Sequence, residues 1–505
     1  MATAASPRVR EDVIVNTSTV TSGSHGKGFF GQPPGLSTLF FVEMWERFSY
    51  YGMRAILALY LYTAVTQGGL GMAESIAASL VLTYGSSVYL TGVAGGWLAD
   101  RVLGAQRAIF YGGVLIMLGH VCMAFPGGYY TLGAGLALIV LGTGLLKPNV
   151  SNVVGGLYSK DDARRDAGFS IFYTGINIGA FASQLITPAL AAGPGFHWGF
   201  GAAAVGMALG LAQYVLGRGR LAGVGSQPVN PLPAHRRNRV LGRVALIAVA
   251  ALLLLGGALT LFGVTGLINT ITLVSILLPV AYFLVMFRSN QVTKMERDRL
   301  LSYIPLFVAT AVFFLLFEQQ AATLVIVTDQ QTDTTLFGFD FPVGWFQSIN
   351  PLAIIVLAPL FAWMWTRLGS RQPSTPIKFT GGLFFVALGF LWVVFAGLFR
   401  DEQGLLNPLM IAFVFVLFTV GELMLSPVGL SATTKLAPDA FSSQTMGLYF
   451  LAPALGQGVA AQIAKLYSEQ HQDMYFGGVA LVTFALAVLL ALLSPRVKSY
   501  MHGVN

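Results

Sequence analysis

The chain has 505 residues, 55% of them hydrophobic and only 10% charged, where a soluble domain carries about 25% charged residues. With a mean hydropathy of +0.71 it is a polytopic membrane protein, and a soluble globular fold is excluded. The net charge of +8 does not indicate a nucleic-acid partner, because the distribution of the basic residues has a better explanation below.

Residues 1–36 are polar, include Glu11 and Asp12, and lack the apolar core of a secretory signal, so they read as a short disordered cytoplasmic tail. Apolar runs of about 18 residues or more can cross a bilayer. Fourteen follow, at roughly 37–64, 77–99, 107–126, 130–152, 167–190, 197–217, 241–264, 266–287, 301–326, 344–367, 377–399, 406–430, 443–467 and 474–494. The first six form an N-terminal bundle (37–217). A basic linker, 218–240, holds three prolines and Arg236, Arg237 and Arg239. An extra helical pair with its loop (241–297) has almost no polar content and reads as a lipid-facing scaffold. Six spans form a C-terminal bundle (298–495), and 496–505 is a tail. Cys122 is the sole cysteine, which excludes an intramolecular disulfide.

With the N-terminus inside, nearly all of the 29 Lys and Arg fall on the cytoplasmic side. The exceptions are Arg400 and Lys465 at outer ends, and Arg47, Arg54 and Lys147 within spans. The positive-inside rule therefore predicts both termini in the cytoplasm. Tyr158, Tyr467 and Trp345 near span ends read as interface anchors, and Asp329, Asp333 and Asp340 as solvated acids of the longest outer loop.

The first span is the most informative. Glu43, Glu46, Arg47, Tyr50, Tyr51 and Arg54 fall within one arc of a 3.6-residue helix. A charge at bilayer depth costs several kcal/mol on insertion scales and faces a bundle interior or an aqueous cavity. The stripe therefore reads as the wall of a solute pathway. Lys147, Glu318 and Glu422 are also inside spans, so the intramembrane set has four acids and three bases, one carboxylate in excess. Buried charges are paired or neutralised, and a spare carboxylate that takes up a proton is what proton coupling needs. A static ion-pair network is the alternative; it covers some pairs but not the surplus.

The same cavity offers Arg47, Arg54 and Lys147 to a carboxylate, and Glu422 with Asn177 and Asn350 to an ammonium. Tyr50, Tyr51 and Tyr89 supply hydrogen bonds and apolar faces. A zwitterion with separated charged ends fits this set. An anion carrier has no need of Glu422, and a sugar carrier has no need of three cations. No His, Cys or carboxylate set has metal-ligand spacing; no cofactor and no enzyme chemistry are visible. His120, beside Cys122, reads as a buried, hydrogen-bonded histidine rather than a proton relay.

These residues carry a resemblance. Glu43 to Tyr51 matches the E-x-x-E-R-F-x-Y-Y signature of the proton-dependent oligopeptide transporters of the major facilitator superfamily. Phe172 to Gly179 matches their F-Y-x-x-I-N-x-G signature. Gly144-Leu145-Leu146-Lys147-Pro148-Asn149 is similar to the fourth-helix lysine motif, and Glu318-Gln319, Asn350-Pro351 and Gly421-Glu422 to the seventh-, eighth- and tenth-helix positions.

The resemblance implies an all-α fold of two pseudo-symmetric six-helix bundles, with the extra pair between them, rocking about a central site in a cell membrane. It implies import of di- and tripeptides with protons, without a cofactor. Arg54–Glu318 and Lys147–Glu422 are then charge pairs across the bundles, with Glu318 the leading protonation site. Asn177, Asn350 and Glu422 hold the peptide amine, and Arg54 and Lys147 its carboxylate. Glu46 and Arg47, with Glu43 beside them, couple proton to substrate. Asp100 and Arg101, in a superfamily-like loop from Gly95 to Arg107, latch the bundles on the cytoplasmic side, unless they form a plain positive-inside loop. Phe314 and Tyr449 stand where members often carry tryptophan, so the pocket stays aromatic with an altered side-chain preference. A same-fold carrier of nitrate or an amino acid, and a peptide receptor that transports nothing, are the competing readings.

Overall fold

The computed structural model describes residues 28–159 and 162–504; most of the expected N-terminal tail, and Lys160 of the basic set, lie outside them. The chain enters its first helix, α1 (Pro34–Tyr62), through a proline at the first helical position, where a missing N–H costs nothing. Five more helices complete the first half: α2 (Glu74–Leu98), α3 (Ala105–Ala124), α4 (Gly128–Gly156), α5 (Arg165–Ala192) and α6 (Phe196–Gly217). α2 runs on through a wider turn, Ala99–Leu103, and stops at Gly104, whose φ of 79° no helix accommodates.

The linker is shorter than expected, because α7 (Ala234–Arg288) already begins at Ala234 and takes in the polar segment from His235 to Arg239. α7 is a hairpin. At Gly263 the backbone leaves helical geometry (φ 64°, ψ −161°), and Gly266 comes back against Ala258; eight residues of straight helix would separate them by about 12 Å. The arms, 234–262 and 264–288, correspond to the two spans expected there. Every buried residue of α7 belongs to the second arm. That arm packs on α13 and α2, while the first arm presents Leu246, Ile247, Leu253 and Leu261 outward, as a lipid-facing scaffold does.

The second half contains α8 (Lys294–Phe317), α9 (Thr323–Gln331), α10 (Ile349–Leu368), α11 (Thr375–Ala396), α12 (Pro408–Leu436), α13 (Ser442–Ala464) and α14 (Gln472–Tyr500). The expected single span 301–326 is broken: α8 and α9 are separated by a 3-10 turn, Glu318–Ala321, and by Ala322 at φ −128°, ψ −99°. Between α9 and α10 a short antiparallel ribbon pairs β1 (Thr335–Leu336) with β2 (Phe339–Asp340). Eleven described helical stretches are long and apolar enough to cross a membrane; α1, which carries four charges, and α13 stand beside them.

Within the first half α1 packs on α5 and α6, and α3 on α4; within the second, α11 packs on α12 and α14, and α8 on α13. The halves meet through α2 with α13 and α5 with α10. One hydrophobic core joins them at the end where α1 finishes: Tyr60 and Leu61 of α1, Val81 of α2, Leu324 and Ile326 of α9, and Phe346 belong to a single cluster. At the other end Leu36, Val153 and Tyr214 form a core belonging to the first half alone.

Candidate functional site

α1 can carry its charges because small residues bring it against α5. Thr187 Oγ1 donates to Gly52 O (2.8 Å). Gly175 lies under the ring of Phe40 and Gly179 against the carbonyl of Met44, so both signatures are held face to face by close helix approach of the kind small residues permit. Arg47 Nε lies 3.1 Å from Glu43 Oε1, one helical turn back, and 2.5 Å from Glu46 Oε2. These are ion contacts rather than aligned hydrogen bonds. Glu46 is completely buried. The Arg47 guanidinium also covers the rings of Tyr50 and Tyr51, at 5.2 and 5.9 Å.

Further along the stripe Arg54 pairs with Glu318, and the same guanidinium donates to the backbone carbonyl of Glu318 at 3.3 Å. Both side chains are buried, and the pair joins the halves as the resemblance implies. Glu318 reaches Arg54 from the break between α8 and α9.

The second expected pair is not formed. Lys147 sits over the Tyr89 ring, 4.2 Å from its centroid, on α4 where Gly144 lets that helix close on Gly95 of α2. Glu422 instead accepts from Asn350 Nδ2 (3.1 Å), which also donates to Thr419 Oγ1 (3.0 Å). Among the described residues no carboxylate lies within 4.0 Å of Lys147 and no cation within 4.0 Å of Glu422. The physical reason is the separation of the halves at this level, where Lys147, Tyr89, Asn350 and Glu422 are all partly exposed. Lys147 and Glu422 thus stand on opposite halves, each partly exposed.

Asn177 spends its amide N–H on the Tyr173 carbonyl one turn back (3.0 Å). Tyr449 donates to Ser426 O (3.1 Å), tying α13 to α12, and Phe314 packs edge-on against Phe313 at 5.4 Å. Tyr173 stood out in the sequence only as part of the second signature, and Thr419 not at all. Tyr173 is 44% exposed; its position one turn before Asn177 was the available signal. Thr419, three residues before Glu422, gave the same kind of signal.

Every hydrogen bond that joins the halves among the described residues lies between the middle of the bundle and the end carrying Tyr62 and Glu74. Tyr62 bonds Asp329, Gln330 bonds Glu74 (2.6 Å), Trp345 donates to Leu185 O (2.9 Å), Gln347 to Ala55 O (3.5 Å) and Ser86 to Ala454 O (2.8 Å). The pathway is closed there and opens at the other end. Asp329 thus stands on α9 rather than in the outer loop and, exposed as expected, bonds across this closure, to which the half-buried Trp345 also contributes. Asp333 and Asp340 hold the ribbon through Thr335. Tyr158 and Tyr467 are buried. His120 is fully buried as expected, but the expected hydrogen bonds are not formed: among the described residues neither ring nitrogen has a partner, because its surroundings in the helix packing offer none.

Asp100 and Arg101 do not latch the halves in this conformation. Asn230 N donates to Asp100 O (3.0 Å), Leu232 N to Arg101 O (3.2 Å), and Arg101 Nη1 to Asn230 O (3.4 Å). The loop is thus occupied by the linker, at the open end where the second half is out of reach.

A family model, that of the POT family, matches residues 106–480. This chain belongs to the POT family. The α1 signature lies before the matched segment, but full-length relatives cover it. A di-/tripeptide transporter of Lactococcus lactis subsp. cremoris is 42% identical over 490 residues, covering 95% of this chain and 98% of its own. An uncharacterized transporter of Bacillus subtilis (strain 168), YclF, is 45% identical over 490 residues, covering 97% and 99%. The crystal structure of a peptide transporter POT in complex with sulfate superposes with a TM-score of 0.90 at 48% identity, over 94% of this chain and 97% of that one. The protein is thus a multi-pass membrane protein of a transporter family, and its two-bundle fold is that of POT structures.

Proposed function

We propose that this chain imports di- and tripeptides together with protons by alternating access. The observation that carries the reading is the placement of Lys147 on one half and Glu422 on the other. Each is partly exposed, and among the described residues each lacks a counter-charge within 4.0 Å. A peptide zwitterion supplies both missing partners, its carboxylate to Lys147 and its ammonium to Glu422 with Asn350. Arg54, spent on Glu318, is not available to the carboxylate in this conformation.

The charges also suggest how a proton enters. Glu43 and Glu46 share Arg47, and Lys147 contributes to their compensation from farther away. A peptide carboxylate on Lys147 withdraws that compensation and leaves two buried carboxylates with one cation. Neutrality then requires a proton on this cluster or on Glu318, because uncompensated buried charge is costly. We further propose that both termini are cytoplasmic, as the Lys and Arg distribution supports, which makes the present conformation open to the inside. The deciding experiment is uptake of a labelled dipeptide into proteoliposomes with and without an inward proton gradient. Accumulation that follows the gradient is expected; peptide binding with no uptake and no counterflow would leave the receptor reading in its place.

A further inference from the structure

Glu318 hangs on a broken helix, and a broken helix leaves backbone groups without their usual partners. Here one side chain bridges the break. Gln319, completely buried, donates from Nε2 to the carbonyl of Leu315 at 3.1 Å, in the last turn of α8. Its Oε1 accepts from Thr323 Oγ1 at 2.7 Å, the first residue of α9. The same oxygen accepts from the Tyr475 hydroxyl of α14 at 2.6 Å. The carboxamide orientation is fixed by chemistry, since a backbone carbonyl can only accept and must face the amide nitrogen. One buried side chain therefore ties the end of α8, the start of α9 and the second-half helix α14 to a single point, adjacent in sequence to the carboxylate that meets Arg54.

We propose that Gln319 is a positioning residue for Glu318, its carboxamide splinting the α8–α9 break to α14 through Thr323 and Tyr475 so that the Glu318 carboxylate and carbonyl are both presented to Arg54. This rests on the reading that Glu318 takes part in proton coupling. With the splint intact the break is fixed to the second half, and protonation changes only the side-chain bond to Arg54. Without it the break relaxes, and the carboxylate meets the guanidinium less well. The groups that face Glu318 are Arg54 and Tyr50 from α1, Tyr89 from α2 and Glu422 from α12. None of them is altered by changing the splint, so a change in pH response reports on position.

The test uses variants that keep shape and remove one hydroxyl: Tyr475→Phe and Thr323→Val, with Thr323→Ser as the rescue. Dipeptide uptake is measured against external pH in proteoliposomes, beside counterflow, which needs no net proton movement. The expected result is a midpoint displaced by about half a pH unit or more in Tyr475→Phe and Thr323→Val. Gradient-driven uptake should fall about three- to five-fold, counterflow should stay within about two-fold, and Thr323→Ser should keep the parent profile. Superimposable profiles in the parent, Thr323→Val and Tyr475→Phe overturn the proposal. Should Tyr475→Phe lose counterflow as well, the Thr323→Val and Thr323→Ser pair decides. A parent chain indifferent to pH overturns the coupling reading and this inference with it. A responsive parent, with Glu318→Gln having lost the response but unshifted splint variants, overturns this inference alone.

Discussion

Among the described residues, Lys147 is the one intramembrane cation that neither a carboxylate nor the opposite half has claimed. Arg47 is held by Glu43 and Glu46, and Arg54 by Glu318, whereas Lys147 has only an aromatic face beneath it. A charge-assisted hydrogen bond is worth about 1.5–3 kcal/mol, so a peptide amidated at its C-terminus should bind roughly ten-fold or more weakly than the free acid. In Lys147→Gln that preference should shrink to near unity, because the side chain, one atom shorter, stays polar but loses its charge. Calorimetry on the purified protein checks both statements, and an unchanged preference in the variant would move the carboxylate site elsewhere. At this scale the sequence was legible for identities and less so for partners. Glu43 and Arg47 are one turn apart on one helix, so their contact follows from helical geometry. Lys147 and Glu422 are in different halves, and whether they touch depends on how far the halves have separated at that level, which no local pattern encodes.

Helix approach sets where these side chains stand. Gly179 of α5 faces the Met44 carbonyl of α1, so a Cβ added there collides with backbone that cannot swing aside. Gly179→Ala is expected to lower stability by about 1–3 kcal/mol, the usual cost of overpacking. In Gly242→Ala, on the first arm of α7 with open space around it, the same change should be neutral or slightly stabilising. Thermal unfolding in detergent compares the two, and equal midpoints would mean that α1 and α5 are not locked by this contact. The spans themselves were readable because each is a long apolar run. Their irregularities were less so. The reversal of α7 at Gly263 sits between two apolar runs that the sequence already separates. The break after Glu318 lies in Phe317-Glu318-Gln319-Gln320-Ala321, which has neither proline nor glycine and is stabilised by Gln319, Thr323 and Tyr475 acting together. A side-chain splint drawn partly from a helix more than a hundred residues away leaves no local signature.

On the scale of the whole molecule, every inter-half hydrogen bond among the described residues lies from the Arg54–Glu318 level to the Tyr62–Asp329 end, and the basic residues cluster at the opposite end. If the open end is cytoplasmic, a membrane-impermeant maleimide added to intact cells should label Phe337→Cys, at the exposed ribbon, and not Asn238→Cys, in a Cys122→Ser background; the reverse pattern would invert the orientation. The same charges decide the energetics of transport. A dipeptide zwitterion is neutral overall, and the intramembrane set has one carboxylate more than it has cations, so each cycle that neutralises the set brings in at least one proton and one net positive charge. A membrane potential supplies about 2.3 kcal/mol per charge per 100 mV, equivalent to roughly fifty-fold accumulation at one proton per peptide. Proteoliposomes given an inside-negative potassium diffusion potential should therefore concentrate a neutral dipeptide even without a pH difference, and more strongly with one. Uptake that ignores both forces would leave the rocking of the two halves intact as a route for diffusion. It would show that the Glu43–Glu46–Arg47 cluster and the Arg54–Glu318 pair hold the helices together and drive nothing, since the surplus carboxylate would then stay protonated throughout the cycle.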